Sequence, residues 1–215
     1  MRENKKYIIN KTAKYKIPCL ITLSGLPGSG KTVCAKVLSK NLKVFIVSND
    51  FIRSSCINDN QKIIDEKTRE IQNKKVLLMN AKRLLQLFSN RVSVVLDSDS
   101  NDIEKFKKIE LLTKFFRYQI IKIKINSVSD SVNLSRIKKR KDEDTRILDS
   151  GIIGDKISSF CHSEQTYYDI KSRKPQLLDD NFFDYVLNND GDLDKYINEI
   201  NNISEEIISK RLTLK

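Results

Sequence analysis

The sequence predicts an α/β fold: a doubly wound, mostly parallel five-stranded sheet with helices on both faces and a helical lid. Three observations predict it. Short apolar, β-branched runs alternate with longer stretches of helical apolar spacing, which is the pattern of βαβ units. A glycine-rich turn joins the first apolar run to the first helical stretch and holds three of the chain's six glycines within eight residues. The 215 residues suffice for one core, or one core with an insertion, and no internal repeat divides them.

Taken in order, residues 1–16 are polar and basic and read as an N-terminal arm. Ile17 to Ser24 reads as a buried strand, and Val33 to Leu38 as the first turns of a helix. Lys43 to Ser48 is a second strand, and residues 49–61 a short helix and loop. A long helix is expected from about Gln61 to Phe88, with Ile64, Ile71, Leu77, Leu78, Leu84, Leu85 and Leu87 as its apolar positions. Arg91 to Asp97 is a third strand, Asp102 to Arg117 an amphipathic helix, and Tyr118 to Ile125 a partly alternating, β-branched fourth strand. A basic helix is expected from about Ser129 to Lys141, within a lid spanning about 129–160. Residues 142–180 are the least regular, with Gly151, Gly154 and a helix around Ile157 to Tyr168. Asp184 to Asn188 is a last short strand, Asn189-Asp190-Gly191 a turn, and Asp192 onward a terminal helix. The main domain is therefore placed at 17–200, with 201–215 as the end of the last helix. The turn is not a calcium loop: with Gly191 at the loop's sixth position, the first ligand position would fall on Val186.

The net charge of +12 and pI of about 9.5 fit a polyanionic partner such as nucleic acid, or a lysine-rich solvated surface, since the lysines run along the whole chain. Cys19, Cys34, Cys56 and Cys161 have no paired spacing, and two of them fall in expected core elements. That usage points to free thiols in a reducing, cytoplasmic setting, not to a disulfide framework or a zinc site. No apolar run approaches the roughly 20 residues a membrane span requires. The N-terminal residues lack the apolar stretch of a signal peptide.

The chemistry starts at Gly25-Leu26-Pro27-Gly28-Ser29-Gly30-Lys31-Thr32, which fits G-x-x-x-x-G-K-[ST] at every fixed position. Strand, glycine loop and helix form the context this phosphate-binding loop needs. Glycines let the backbone wrap phosphates and aim consecutive N–H groups inward, and the helix after it offers free N–H groups and a positive dipole end. Residues Gly25 through Val33 are thus expected to bind ATP. Lys31 is expected to reach the β- and γ-phosphates, and Thr32 to ligate Mg²⁺.

Three segments surround that loop. At the second strand's exit, Asp50 can orient an acceptor hydroxyl and take its proton, and Arg53, about one helical turn on, can grip an acceptor phosphate. The plain alternative is a helix cap with a surface arginine. At the third strand's exit, Asp97 and Asp99 compete to support Mg²⁺ beside Thr32, since strand alternation puts both on one face. Ser100 and Asn101 offer hydrogen bonds to an acceptor, and Asn101 also fits a helix cap. In the basic helix, Arg136 and Arg140 are four apart and share a face from which a lid could stabilise a transferring phosphoryl group; a solvated basic face is the alternative. His162, the single histidine, is read as structural. Tyr167, Tyr168, Phe182 and Phe183 are read as core.

These residues together resemble a group of P-loop kinases that includes the kinase domain of 5′-hydroxyl polynucleotide kinases, zeta-toxin-like kinases and related predicted kinases called AAA family ATPases. Gly25–Thr32 matches their Walker A. Asp50-Phe51-Ile52-Arg53 is similar to the polynucleotide kinase segment with a general-base Asp and an acceptor-binding Arg. Ser98-Asp99-Ser100-Asn101 is similar to its S-D-T-N-type segment, with Ser for Thr, and Arg136 and Arg140 match its lid spacing. Tyr185 to Ile200 also resembles the group's C-terminal end. The resemblance covers roughly 17–200 and implies an ATP- and Mg²⁺-dependent kinase acting on a hydroxyl, with a nucleic-acid 5′ end as acceptor. A small-molecule or sugar-nucleotide acceptor is the alternative. A nucleotide-dependent ATPase switch fits less well: the chain has no N-K-x-D guanine-reading segment and no D-E pair closing the third strand. No phosphatase-type D-x-D-x-T segment follows the domain, and residues 142–180 match no part of the group.

Overall fold

The structure, a computed structural model, describes residues 12–56, 66–98, 103–127, 129–142, 164–172 and 179–210. Five strands form one sheet in the order β2-β3-β1-β4-β5, with every pair parallel. They are β1 (Cys19–Ser24), β2 (Phe45–Ser48), β3 (Val94–Asp97), β4 (Gln119–Ser127) and β5 (Tyr185–Asn189). The helices are α1 (Lys31–Leu42), α2 (Asn49–Cys56), α3 (Glu66–Ser89), α4 (Ile103–Phe116), α5 (Asp130–Asp142), α6 (Glu164–Ser172) and α7 (Leu193–Lys210). A short 3-10 helix, Asp180–Phe182, precedes β5. The expected doubly wound sheet is thus present, and it is wholly parallel.

Alternation along the strands sorts the core into two layers. Cys19, Ile21 and Leu23 of β1, Ile46 of β2, Val95 of β3 and Ile121, Ile123 and Ile125 of β4 face α1 and α7, whose Cys34, Ala35, Leu38, Leu42, Tyr196, Ile200 and Ile207 complete that layer. Leu20, Phe45, Val47, Val94 and Leu96 face the other way, onto Ile52 of α2 and onto α3 and α4. Burying each large aliphatic side chain this way contributes about 1.5–3 kcal/mol. Cys19 and Cys34 are free and fully buried thiols, and burial pushes Cys19 up to about 12.

The apolar stripe expected on the long helix is corrected. Val76, Leu84, Leu87 and Phe88 are buried, whereas Ile71, Leu77, Leu78 and Leu85 are exposed. The inward face runs at 76, 80, 84, 87 and 88, at helical spacing, and includes the polar Asn80, which donates to Asn49 Oδ1. Of the four aromatics read as core, Tyr167 is fully buried and Tyr168 is exposed; Phe182 and Phe183 are half-buried. The arm at 1–11, the early part of the long helix before Glu66, and His162 lie outside the described residues. Among the described residues no helix is long and apolar enough to cross a membrane.

Candidate active site

The site forms at the carboxyl edge of the sheet. β1 lies between β3 and β4, so the chain leaving β1 winds to one side and the chain leaving β3 crosses to the other. The crevice at such a switch point is where ligands sit in open α/β sheets.

The glycine loop fills that crevice. Ser29 N–H donates to Leu26 O at 3.1 Å, and Cys34 N–H to Gly30 O at 3.1 Å, the first full turn of α1. α1 begins at Gly30 with no side-chain cap and no acidic residue in its first turn. Its opening N–H groups and positive dipole end therefore carry no anionic partner from the chain, the arrangement that suits a bound phosphate. Lys31 Nζ arches back over the loop and donates to Gly25 O at 2.6 Å and Leu26 O at 2.9 Å.

Two of the loop's glycines are fixed by space as well as by conformation. Gly28 has φ +82°, and a Cβ there would lie 2.7 Å from the backbone oxygen of Asn133. Gly30 has φ +107°, and its Cβ would lie 2.4 Å from Asn189 Nδ2. Neither the left-handed backbone nor the gap admits a side chain.

Thr32 Oγ1 donates to Asp97 Oδ2 at 3.0 Å. Sheet geometry brings the two together: Asp97 follows Val95 by two residues on β3, so it points to the α1 face, where Thr32 stands in the first turn. Asp97 is nearly buried, and its charge, after burial itself, helps push the Cys34 thiol up. A hydroxyl and a carboxylate at this spacing are hard oxygen donors of the kind Mg²⁺ takes. Of the two competing aspartates, Asp97 is the one joined to Thr32; Asp99, with Ser100 and Asn101, lies outside the described residues.

Arg136 enters from α5. Its Nη1 donates to Gly28 O at 3.2 Å and its Nη2 to Asn189 Oδ1 at 2.9 Å. The side chain of Arg140 lies outside the described residues. Asp50 stands in the first turn of α2, at the same sheet edge, since β2 pairs with β3 with Ser48 opposite Asp97. That turn is capped by Ser48, whose Oγ accepts from Phe51 N–H at 3.4 Å, so Asp50 is not the cap. Arg53 belongs to the same helix, and its side chain lies outside the described residues.

Three site residues were missed from sequence. Asn189, at the end of β5, donates from Nδ2 to Ser29 O at 2.8 Å while its Oδ1 holds Arg136. Tyr196, fully buried in α7, donates to Gly30 O at 3.3 Å. Asn133 of α5 supplies the backbone against Gly28, and its Nδ2 donates to Ser127 Oγ at 2.6 Å and to Tyr167 OH at 3.3 Å. Tyr167 OH in turn donates to Asp130 Oδ1 at 2.8 Å, and Lys171 of α6 pairs with the same carboxylate. Asn189 had a signal: it leaves β5 in register with buried Leu187, by the same alternation that points Asp97 inward.

Comparison with known proteins agrees with this geometry. The family model described as AAA domain matches residues 20–151, more than half of the chain. No curated protein matches it. Among solved structures, a candidate kinase from Chloroflexus aurantiacus superposes with a TM-score of 0.64 at 19% identity, covering 90% of this chain and 98% of that one. Kti12 from Chaetomium thermophilum, solved with ADP-AlF3, gives 0.57 at 14% identity, covering 88% and 97%. Shikimate kinase from Acinetobacter baumannii, solved with shikimate, gives 0.53 at 20% identity, covering 98% and 99%. At these identities the shared property is the fold, a parallel α/β nucleotide-binding sheet.

Proposed function

The chain belongs to the AAA domain family, and from that premise we propose that it is an ATP-dependent phosphotransferase that moves the γ-phosphate to a hydroxyl, with a nucleic-acid 5′-OH as acceptor. The observation that carries the reading is the Thr32–Asp97 pair, 3.0 Å apart beside Lys31 at an uncapped helix start. Thr32 and Asp97 would hold Mg²⁺, which supplies positive charge to the phosphate oxygens. The N–H groups of the loop and the Lys31 ammonium bind and orient the triphosphate. Arg136, already against Gly28, offers a guanidinium where charge spreads over the transferring group.

The acceptor oxygen forms a bond to the γ-phosphorus as the bond from that phosphorus to the β–γ bridging oxygen breaks, and ADP leaves. The acceptor's proton passes to Asp50, at the same sheet edge one strand beyond Asp97. Arg53, Ser100, Asn101 and Arg140 are assigned to acceptor and phosphate contacts on the strength of the sequence pattern. The nucleic-acid acceptor is supported by the net charge of +12 and by Lys138 and Lys139 exposed beside Arg136 on α5. A reducing intracellular setting is supported by the buried free thiols of Cys19 and Cys34.

The test is a γ-phosphate transfer screen across 5′-OH DNA, RNA, tRNA fragments, nucleosides and sugar nucleotides. Phosphorylated 5′ ends are expected, with Asp50→Ala abolishing transfer while ATP binding survives. Phosphate appearing only on small molecules overturns the nucleic-acid acceptor and leaves the phosphotransferase standing. Full turnover by Asp50→Ala removes that residue as base.

A further inference from the structure

We propose that the edge of the sheet opposite the active site is a track for the phosphate backbone of single-stranded nucleic acid. This is where the chain enters the strands. The segment entering β2 carries Lys43, that entering β3 carries Arg91, that entering β1 carries Lys14 and Lys16, and that entering β4 carries Arg117. All five side chains are exposed. Strand order places the segments side by side, so four neighbouring strands each present at least one cation. At a strand spacing of about 4.8 Å, the row is about 15 Å long. One strand of a nucleic acid rises about 3.4 Å per charge, so the row matches about four phosphates.

The segments are joined physically. Ala13 N–H donates to Lys43 O at 2.9 Å, and Arg91 reaches Lys16 O at 3.3 Å and Phe116 O at 3.4 Å, next to Arg117. A cleft of about 270 Å³ opens between residues 12–15 and 90–92, lined by Lys14, Tyr15, Asn90 and Arg91.

Two features separate this edge from a generally lysine-rich surface. Residues 12–18, 43–44, 90–93 and 117–118 contain no carboxylate, and none of the five cations forms an ion pair among the described residues. Elsewhere Lys74, Lys107, Lys114, Lys124, Lys171, Lys195 and Lys210 are each paired with an acid. The acids of this edge gather at the entry to β5, where Asp179, Asp180 and Asp184 bound the track. Second, Lys43, Arg91 and Arg117 are the only non-glycine residues with positive φ among those described, at 53°, 58° and 56°. Each follows a helix, a position where glycine relieves a cost of about 1–2 kcal/mol. The helix dipole favours a cation at these termini, but it accounts for neither Lys14 nor Lys16, nor for the missing carboxylates.

The inference stands apart from the proposed transfer, because the track lies at the far end of the strands and needs no 5′ end. The probe is therefore a circular single-stranded oligodeoxythymidylate, with binding followed by fluorescence anisotropy over a series of salt concentrations. The variant combines K14Q, K16Q, K43G, R91G and R117G; glycine relaxes three of the five positions, so the fold is kept. Affinity is expected to fall at least about tenfold, and the log–log salt slope by up to about 0.7 per lost contact, or about 3.5 in all. A charge-matched control, K74Q with K107Q, K108Q, K195Q and K210Q, should stay within about twofold of wild type, because exposed pairs contribute little to the fold. Wild-type affinity in the edge variant, or an equal loss in the control, overturns the proposal. Should the edge variant not fold, acetylation of the wild type decides. Protection of Lys14, Lys16 and Lys43 by the circle, with Lys74 and Lys195 unprotected, supports the track. No protection, or protection by anionic phospholipid vesicles alone, overturns it.

Discussion

Two parts of the same site are built in opposite ways. The unit from β1 through the glycine loop into α1 is contiguous, and residues 25–32 carry their geometry in their own order. The clasp that grips that loop from outside draws Asn133, Arg136, Asn189 and Tyr196 from more than 100 residues away. The first assembles a chemistry; the second fixes its position. The difference teaches that a phosphate loop's motif specifies what it binds, whereas its rigidity is supplied by the far end of the chain.

The sharpest division would come from Lys31→Ala. Its loss removes charge at the reacting group and leaves the clasp intact, so phosphate transfer should fall about a hundred- to a thousandfold with melting temperature unchanged. Gly30→Ala strikes both parts at once. A Cβ 2.4 Å from Asn189 Nδ2 and a residue forced to φ +107° should cost more than about 2 kcal/mol in denaturant unfolding and weaken nucleotide binding. Asn189→Leu tests the clasp alone. It strips the partners from Ser29 O and Arg136 and should cost about 1–3 kcal/mol in denaturant unfolding, and in a double-mutant cycle with Arg136→Ala the two losses should not add. Additivity would show that the clasp is no unit. Tyr196→Phe removes one hydroxyl contact and should cost about 1 kcal/mol.

The mildest probe is pH. The hydrogen bond from Lys171, then that from Tyr167, holds Asp130 below its ordinary 3.8, and Asp130 in turn raises Lys171 above 10.5. Stability from the carboxylate is present above 3.8 and is lost as pH falls through its lowered value; that from the ammonium is present below 10.5 and is lost as pH rises through its raised value. Amide exchange in α6 should thus be slowest between those limits and quicken outside them, before exchange in α1 responds.

Much of the fold was legible because each element announces itself over consecutive residues. β4 alternates as its sequence alternates, and β3 ends on the aspartate that its apolar run leads to. Helical spacing misled on α3: Leu77, Leu78 and Leu85 satisfy a loose period, but the inward face is set by which turn meets α2 and β2, and it holds a polar Asn80. At the site, Thr32 and Asp97 could be paired in advance because one lies at a helix start and the other at a strand end beside it. Choosing Asp97 over Asp99 could not, since alternation gives both the same face. Asn189 and Tyr196 escaped because their partners are backbone carbonyls, and a carbonyl leaves no mark on the sequence.

The clasp also orders events in time. A chain emerging from the ribosome displays residues 25–32 early, with β1, α1 and β3 close behind. Asn189 and Tyr196, which seat Ser29 O and Gly30 O, emerge last, among the final strand and helix. Domains of this kind form as units during synthesis. A nascent or truncated product ending before β5 therefore carries the complete phosphate motif without the groups that hold it in shape. Half-made molecules are thereby kept from gripping nucleotide ahead of the rest of the fold.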